Sequence, residues 1–93
     1  MKVVINRRHG GFGLSSRASR KYCRLAAISE NDFDDYRVAR DDPNLVAVVE
    51  QLGLAADGDC AQLKIVEIPD DVEWSIQEYD GLEWVAEQHR TWS

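Results

Sequence analysis

The sequence feature that most constrains the fold is an apolar run followed by a hairpin in residues 63–87, LKIVEIPDDVEWSIQEYDGLEWVAE. In residues 63–68 apolar side chains would lie on both faces of a strand, which is typical of a strand that is covered on both sides. Pro69 and the two aspartates after it predict a turn, because Asp is favoured in turns for its local hydrogen bonds. Gly81 then marks the turn between two further strands. The chain is therefore expected to bury a sheet that ends in a C-terminal β-hairpin.

The apolar pattern of this hairpin predicts a three-residue loop from Tyr79 to Gly81. A two-residue loop would place Glu78 opposite Glu83 and would put the two hairpin tryptophans on opposite faces. The three-residue loop instead gives one apolar and one polar face, with Gly81 in the left-handed position of a bulged turn. This register predicts the cross-strand pairs Ile76 with Trp84, Trp74 with Ala86, Glu73 with Glu87, and Gln77 with Glu83. The like charges in one of these pairs are either screened by solvent or meant for a positive partner.

Two helices are predicted upstream of the hairpin. The β-branched run KVVIN at residues 2–6 predicts a strand. Ser15 or Ser16 is a suitable cap for a helix that runs to about Ala27, with apolar residues on one side and bases on the other. Asp42, followed by proline, predicts the start of a second helix, and Gly53 predicts its end.

The segment between the two helices, residues 28–40, is the least regular part of the chain. Its apolar residues Phe33, Tyr36 and Val38 suit a short edge strand. The resulting order of elements predicts one domain, residues 1–93, of the α+β class. In this fold two helices pack on a small mixed or antiparallel sheet that includes the C-terminal hairpin.

Charge is divided between two blocks of the sequence. Residues 1–29 contain no acid and hold the bases Lys2, Arg7, Arg8, Arg17, Arg20, Lys21 and Arg24, whereas all 17 acids lie in residues 30–93. Such asymmetry predicts charge-guided recognition of a partner. The alternative is that the two blocks neutralise each other across the folded surface.

A glycine-rich turn, HGGFG at residues 9–13, lies between a strand and a helix, where phosphate-binding loops are found. It matches neither dinucleotide-binding nor Walker A spacing, so a backbone turn that requires glycine is the simpler interpretation. If an anion binds there, the residues expected to hold it are Arg7, Arg8, Gly10, Gly11, Gly13 and Arg17.

No catalytic or metal-binding motif is present, so the chain is not expected to be an enzyme or to hold a cofactor. The spacing of the candidate zinc ligands has no pair at ligand distance; these residues are His9, Cys23, Cys60 and His89. Both cysteines are expected to be free thiols in a reducing compartment, and the bases beside Cys23 favour a lowered thiol pKa.

The stretches KVVIN, GGFGLS, RDDPNLV, LKIVEIPDDVEW and EYDGLEWVAEQHRTW carry a family resemblance. Over nearly its whole length the chain resembles a group of small proteins that are encoded by bacteriophages and prophages. The resemblance implies a phage or mobile-element origin and a site of action in the cytoplasm of the infected bacterial host. It implies no catalytic residue. Family members often carry an aromatic residue beside the glycines, where this chain has His9.

Small acidic phage proteins are similar in character to anti-CRISPR and other anti-defence proteins, some of which place carboxylates where DNA phosphates would lie. We therefore expect a non-enzymatic inhibitor that binds a bacterial host protein or CRISPR effector complex through an acidic, DNA-mimicking surface. Neither membrane association nor direct DNA binding is expected. The residues expected to form this surface are Asp70, Asp71, Glu73, Glu78, Asp80, Glu83 and Glu87, extended by Asp32, Asp34 and Asp35. The alternative is a nucleic-acid or nucleotide binder that uses the basic N-terminal third and the glycine turn.

Overall fold

The computed structural model describes residues 1–87 and the backbone of residues 91–92. The described elements are β1 (Lys2–Asn6), α1 (Ser16–Ala26), α2 (Pro43–Leu52), β2 (Leu63–Glu67), β3 (Trp74–Tyr79), β4 (Leu82–Glu87) and β5 (Thr91–Trp92). Among these strands β1 pairs with β2, and β3, β4 and β5 form a second sheet, with every pairing antiparallel. The predicted α+β class with a C-terminal hairpin is confirmed.

Strand β1 lies at the centre of a three-layer arrangement. Val3, Val4 and Ile5 have no exposed surface. Val4 packs with α1 and α2 in one apolar cluster, while Val3 and Ile5 pack with Val85 of β4 in another. The helices therefore cover one face of the β1–β2 pair and the hairpin covers the other. Each of these fully buried side chains contributes about 1.5–3 kcal/mol to folding.

Strand β2 is covered on both faces, as the apolar run predicts. Val66 packs in the cluster shared with the hairpin, and Leu63 and Ile65 are partly buried against the cluster shared with the helices. Among the described strands, however, β1 is the only hydrogen-bonded neighbour of β2, so β2 lies at the edge of its sheet.

Both helices begin and end where their capping residues predict. The Ser15 hydroxyl accepts the Ala18 N–H at 3.1 Å, and the Asp42 carboxylate accepts the Asn44 N–H at 2.8 Å. These bonds satisfy backbone donors that a helix leaves unpaired in its first turn. Gly53 ends α2 with a φ of +55°.

The prediction of an edge strand within residues 28–40 is wrong. This segment forms two short 3-10 turns, Glu30–Asp32 and Asp35–Arg37. The Ser29 hydroxyl and the Asp34 carboxylate accept the N–H groups of residues 31 and 36. Such local side-chain bonds compete with strand pairing. Phe33 meanwhile packs against the Tyr22 ring, with ring centroids 5.2 Å apart, so its ring is partly buried without a strand.

The predicted hairpin register is also wrong. The loop has two residues, Asp80 and Gly81, whose φ angles of +51° and +87° are those of a type I′ turn. The observed pairs are Trp74 with Glu87, Ser75 with Ala86, Ile76 with Val85, Gln77 with Trp84, Glu78 with Glu83, and Tyr79 with Leu82. The two features that argued against this register, a Glu–Glu pair and tryptophans on opposite faces, are both present. The pair is tolerated because Glu83 has a cationic partner outside the hairpin.

Within the described residues, no helix is both long and apolar enough to cross a lipid bilayer.

Candidate functional site

Five acids of the predicted acidic surface are exposed on the hairpin layer. We call these five acids the hairpin carboxylates: Asp70, Asp71, Glu73, Glu78 and Asp80. They occupy the corner before β3, strand β3 and its turn. No Lys, Arg or His lies in residues 65–87, so this part of the chain supplies no internal base to neutralise them.

The hairpin carboxylates differ in their contacts. The α-amino group of Met1 donates a hydrogen bond to Asp70, and this bond, followed by the charge of the amine, lowers the pKa of the carboxyl. Glu78 accepts the Gly81 N–H at 2.9 Å and so closes the turn. Asp71 and Glu73 make no side-chain hydrogen bond or ion pair with the described residues. These two carboxylates are therefore the most available for a partner.

Glu83 does not belong to the exposed acidic surface. Its side chain is 8% exposed and forms a bidentate ion pair with the guanidinium of Arg40, at 2.6 and 2.9 Å. The same carboxylate accepts the backbone N–H of Asn6 at 2.7 Å. At the free edge of β1, the Glu83 carboxylate thus accepts a backbone N–H that a neighbouring strand would otherwise bind. It fixes the hairpin to the core rather than facing solvent.

Glu87 is half-buried at the open end of the hairpin, opposite Trp74. A groove at this end is lined by Glu73, Trp74, Ser75, Gln77, Ala86 and Glu87. In this groove the Glu73 carboxylate, which makes no hydrogen bond or ion pair with the described residues, lies beside the aromatic ring of Trp74. A carboxylate beside an aromatic ring suits an arginine or lysine side chain of a partner.

The three acids expected to extend the surface lie in the helical layer instead. Asp35 accepts the Leu14 N–H at 3.0 Å, and Asp34 lies 3.6 Å from the guanidinium of Arg37. Asp32 lines a groove beside Tyr22. Asp34 and Asp35 therefore have partners outside the hairpin, unlike Asp71 and Glu73.

The glycine turn packs backbone against backbone. A Cβ on Gly10 would lie 2.8 Å from the Cys60 carbonyl oxygen, and a Cβ on Gly81 would lie 2.7 Å from the Gly10 nitrogen. The Gly10 N–H donates to the Asp80 carbonyl, and the Leu14 N–H after the turn donates to the Asp35 carboxylate. These glycines allow close packing. The nearby carboxylates disfavour an anion at the turn.

The bases of the alternative anion site are not brought together. Arg7 donates to the Glu83 carbonyl at 2.7 Å, whereas Arg8 is exposed beyond β1. Arg17 lies on α1, where it lines a groove with Arg20 and Arg24.

The cysteines and histidines do not form a metal site within the described residues. Burial raises the pKa of the Cys23 thiol, and Glu30 adds to the effect, so the expected lowering by neighbouring bases is wrong. Cys60 is exposed, and both thiols are free. His89 and the side chain of Trp92 lie outside the described residues.

The two charge blocks neutralise each other only locally. Ion pairs join Met1 to Asp70 and Lys2 to Glu50, and His9 Nδ1 lies 3.9 Å from a carboxylate oxygen of Asp80. The four bases of α1 make no ion pair with the described residues. Helix α1 packs on α2 and the hairpin packs on β1, so the basic and acidic surfaces lie on opposite sides of the core.

Two residues central to the site, Arg40 and Asn6, carried no clear sequence signal. The Asn6 amide donates to the carbonyls of Arg8 and Gly81 and accepts the Gln62 N–H. Arg40 lies in the irregular segment before α2. Its one distinguishing feature is that few bases occur in residues 30–93.

Comparisons of the chain with protein-family models, with curated proteins and with solved structures found no match.

Proposed function

We propose that this chain is a non-enzymatic inhibitor of phage or mobile-element origin that occupies the nucleic-acid-binding groove of a bacterial defence complex. The hairpin carboxylates take the place of DNA phosphates, and the specific target is a CRISPR surveillance complex. The observation that carries the proposal is the pair of exposed carboxylates, Asp71 and Glu73, which have no partner among the described residues.

Contacts at both ends of the hairpin hold it on the core. At the turn, the Arg40–Glu83 ion pair and the bond from the Asn6 amide to the Gly81 carbonyl fix the hairpin beside β1. At the corner that carries Asp71 and Glu73, the Ile68 N–H donates to the Met1 carbonyl at 2.9 Å and the Met1 amine donates to Asp70. A preorganised surface loses less conformational entropy on binding than a flexible acidic tail. Carboxylates on such a surface accelerate encounter with a basic groove, and salt weakens this attraction.

The test is a competition assay with a purified CRISPR surveillance complex and a fluorescent target DNA. The wild-type protein is expected to reduce DNA binding, and to do so less at higher salt. The double variant Asp71→Lys/Glu73→Lys should lose at least about tenfold in inhibitory potency, because two attractions become repulsions. Asp70, Glu78 and Asp80 are left intact, since they contact the amino terminus, the turn and His9.

The matched control is Asp41→Lys/Asp59→Lys, which changes the net charge by the same amount at two exposed positions outside the hairpin. This control should inhibit like the wild-type protein. Equal loss in both double variants would reduce the effect to net charge and contradict the proposed surface. Absence of inhibition by the wild-type protein would contradict the proposed target.

A further inference from the structure

A ridge of arginines runs along the exposed side of α1. Arg17, Arg20 and Arg24 are exposed and line one groove, with Glu30 at its margin. We name these three residues the arginine ridge. None of them makes an ion pair or a side-chain hydrogen bond with the described residues.

The stability of the fold does not account for this arrangement. Residues three and four apart on a helix are neighbours, so Arg20 and the two arginines beside it repel each other. Arg17 lies in the first turn, where the helix dipole disfavours a positive charge. An external polyanion would relieve both effects.

We infer that the arginine ridge binds the phosphate backbone of duplex DNA without reading its sequence. From Arg17 to Arg24 the helix rises about 10 Å, at about 1.5 Å per residue. One strand of B-DNA places about three phosphates along that distance, at about 3.4 Å of helix axis each. Three guanidinium groups therefore meet about three phosphates, and each can form paired hydrogen bonds with phosphate oxygens.

Sequence-independent binding follows from the side chains in the groove. Reading a mixed sequence in the major groove uses several types of side chain, with arginine for guanine, Asn or Gln for adenine and apolar groups for the thymine methyl. The ridge offers arginines along one exposed row and no Asn, Gln or aromatic residue. Its contacts are therefore expected to remain on the backbone, which positions a protein without specifying a sequence.

The net charge of −6 does not prevent this contact. The hairpin carboxylates lie on the other side of the β1–β2 layer, and the molecule extends 39 × 27 × 22 Å. Charges separated by more than about 8 Å in solvent are largely screened at physiological salt. The ridge is therefore a surface separate from the one proposed to block a defence complex.

The test measures the fluorescence anisotropy of a short labelled duplex of arbitrary sequence as the full chain is added. Binding through three phosphates predicts a slope of about −2.7 when the logarithm of the binding constant is plotted against the logarithm of salt concentration. The affinity should therefore fall about 40-fold between about 50 and 200 mM salt. The triple variant Arg17→Gln/Arg20→Gln/Arg24→Gln should lose at least about tenfold in affinity at the lower salt, with a slope near zero. Circular dichroism checks that the helix persists.

A single-site control is Arg37→Gln, which removes one exposed arginine that lies beside Asp34. This variant should bind DNA like the wild-type protein. The Asp71→Lys/Glu73→Lys variant should also retain DNA binding. The duplex assay therefore tests the arginine ridge independently of the hairpin carboxylates. The inference is overturned if the folded triple variant binds DNA like the wild-type protein. It is also overturned if the wild-type protein binds anionic vesicles or an acidic protein but not the duplex.

Discussion

Glu83 and Arg40 form a largely buried bidentate ion pair that joins the hairpin to the free edge of β1. The guanidinium nitrogens lie 2.6 and 2.9 Å from the two carboxylate oxygens, and the side chains are 17% and 8% exposed for Arg40 and Glu83. Arg40 also stacks on Phe12, with 3.6 Å from its guanidinium carbon to the ring centroid. The Arg40 carbonyl accepts the Val4 N–H at 2.8 Å. One pair therefore connects the hairpin, the glycine turn and the central strand.

Removing the charge of Glu83 should strongly destabilise the protein. Glu83→Gln leaves the Arg40 guanidinium buried without a counterion, which predicts a loss of about 3 kcal/mol or more in the free energy of unfolding. Urea denaturation followed by tryptophan fluorescence measures this loss. The control is Glu73→Gln on the exposed side, which should change stability by less than about 0.5 kcal/mol. Equal effects of the two substitutions would show that the pair does not hold the hairpin.

A side chain at Gly81 should be poorly tolerated because backbone lies against it. Gly81→Ala imposes a φ of +87° on alanine and brings its Cβ within 2.7 Å of the Gly10 nitrogen. The control Gly53→Ala has a φ of +55° and meets no atom within 4 Å, so it bears only conformational strain, about 1–3 kcal/mol. We expect Gly81→Ala to cost about 1–3 kcal/mol more than this control in denaturation experiments. The packing of the turn would be contradicted if the two variants were equally stable.

Replacing Ala27 with glycine should stabilise the protein. Ala27 follows α1 in the left-handed region, with φ +56° and ψ +45°. That conformation costs an alanine about 1–2 kcal/mol and glycine almost nothing. Allowing for the greater freedom of glycine in the unfolded chain, the melting temperature should rise by a few degrees, for a gain of about 1 kcal/mol. Ala26→Gly, inside the helix, should instead lower the melting temperature. A lower melting temperature in both variants would contradict this explanation.

The hydrogen bond between Tyr22 and Asp42 should make stability fall at alkaline pH. Burial raises the pKa of Tyr22 to about 12, and the 2.7 Å bond to the Asp42 carboxylate adds to the shift. The unfolded chain releases this proton near pH 10, so between pH 10 and about 12 the folded state binds more protons than the unfolded state. Stability should therefore decrease as pH rises through this window, by up to about 1.4 kcal/mol per unit.

Comparison with Tyr22→Phe isolates this contribution from the other groups that titrate at alkaline pH. The stability difference between the wild-type protein and this variant, measured by urea denaturation, should shrink as pH rises from 10 toward 12. At neutral pH the variant should be less stable by about 1.5–3 kcal/mol, because the bond is to a charged acceptor. A stability difference that does not change with pH would rule out the raised pKa.

Local signals predicted the parts of this fold that depend on neighbouring residues in sequence. The caps Ser15 and Asp42 and the stop at Gly53 act within one helical turn, so the helix boundaries could be predicted. The α+β class followed from the order of apolar segments.

The hairpin register could not be predicted because its determinant lies far away in sequence. Glu83 opposite Glu78 is unfavourable until Arg40, 43 residues earlier in the chain, supplies the counterion. The acidic surface was predicted only in part for the same reason. Sequence composition identifies acids but does not distinguish the buried Glu83 from the exposed Asp71 and Glu73.

The separation of the two charged surfaces is tested most directly by chemical-shift mapping of the isotope-labelled protein. Titration with a short duplex should shift the backbone amides around Arg17, Arg20 and Arg24, while titration with an oligolysine peptide should shift those of residues 70–74. Such a result would place opposite charges on two independent binding surfaces. If both ligands shifted the same amides, or if the duplex shifted those of residues 70–74, the account would be contradicted.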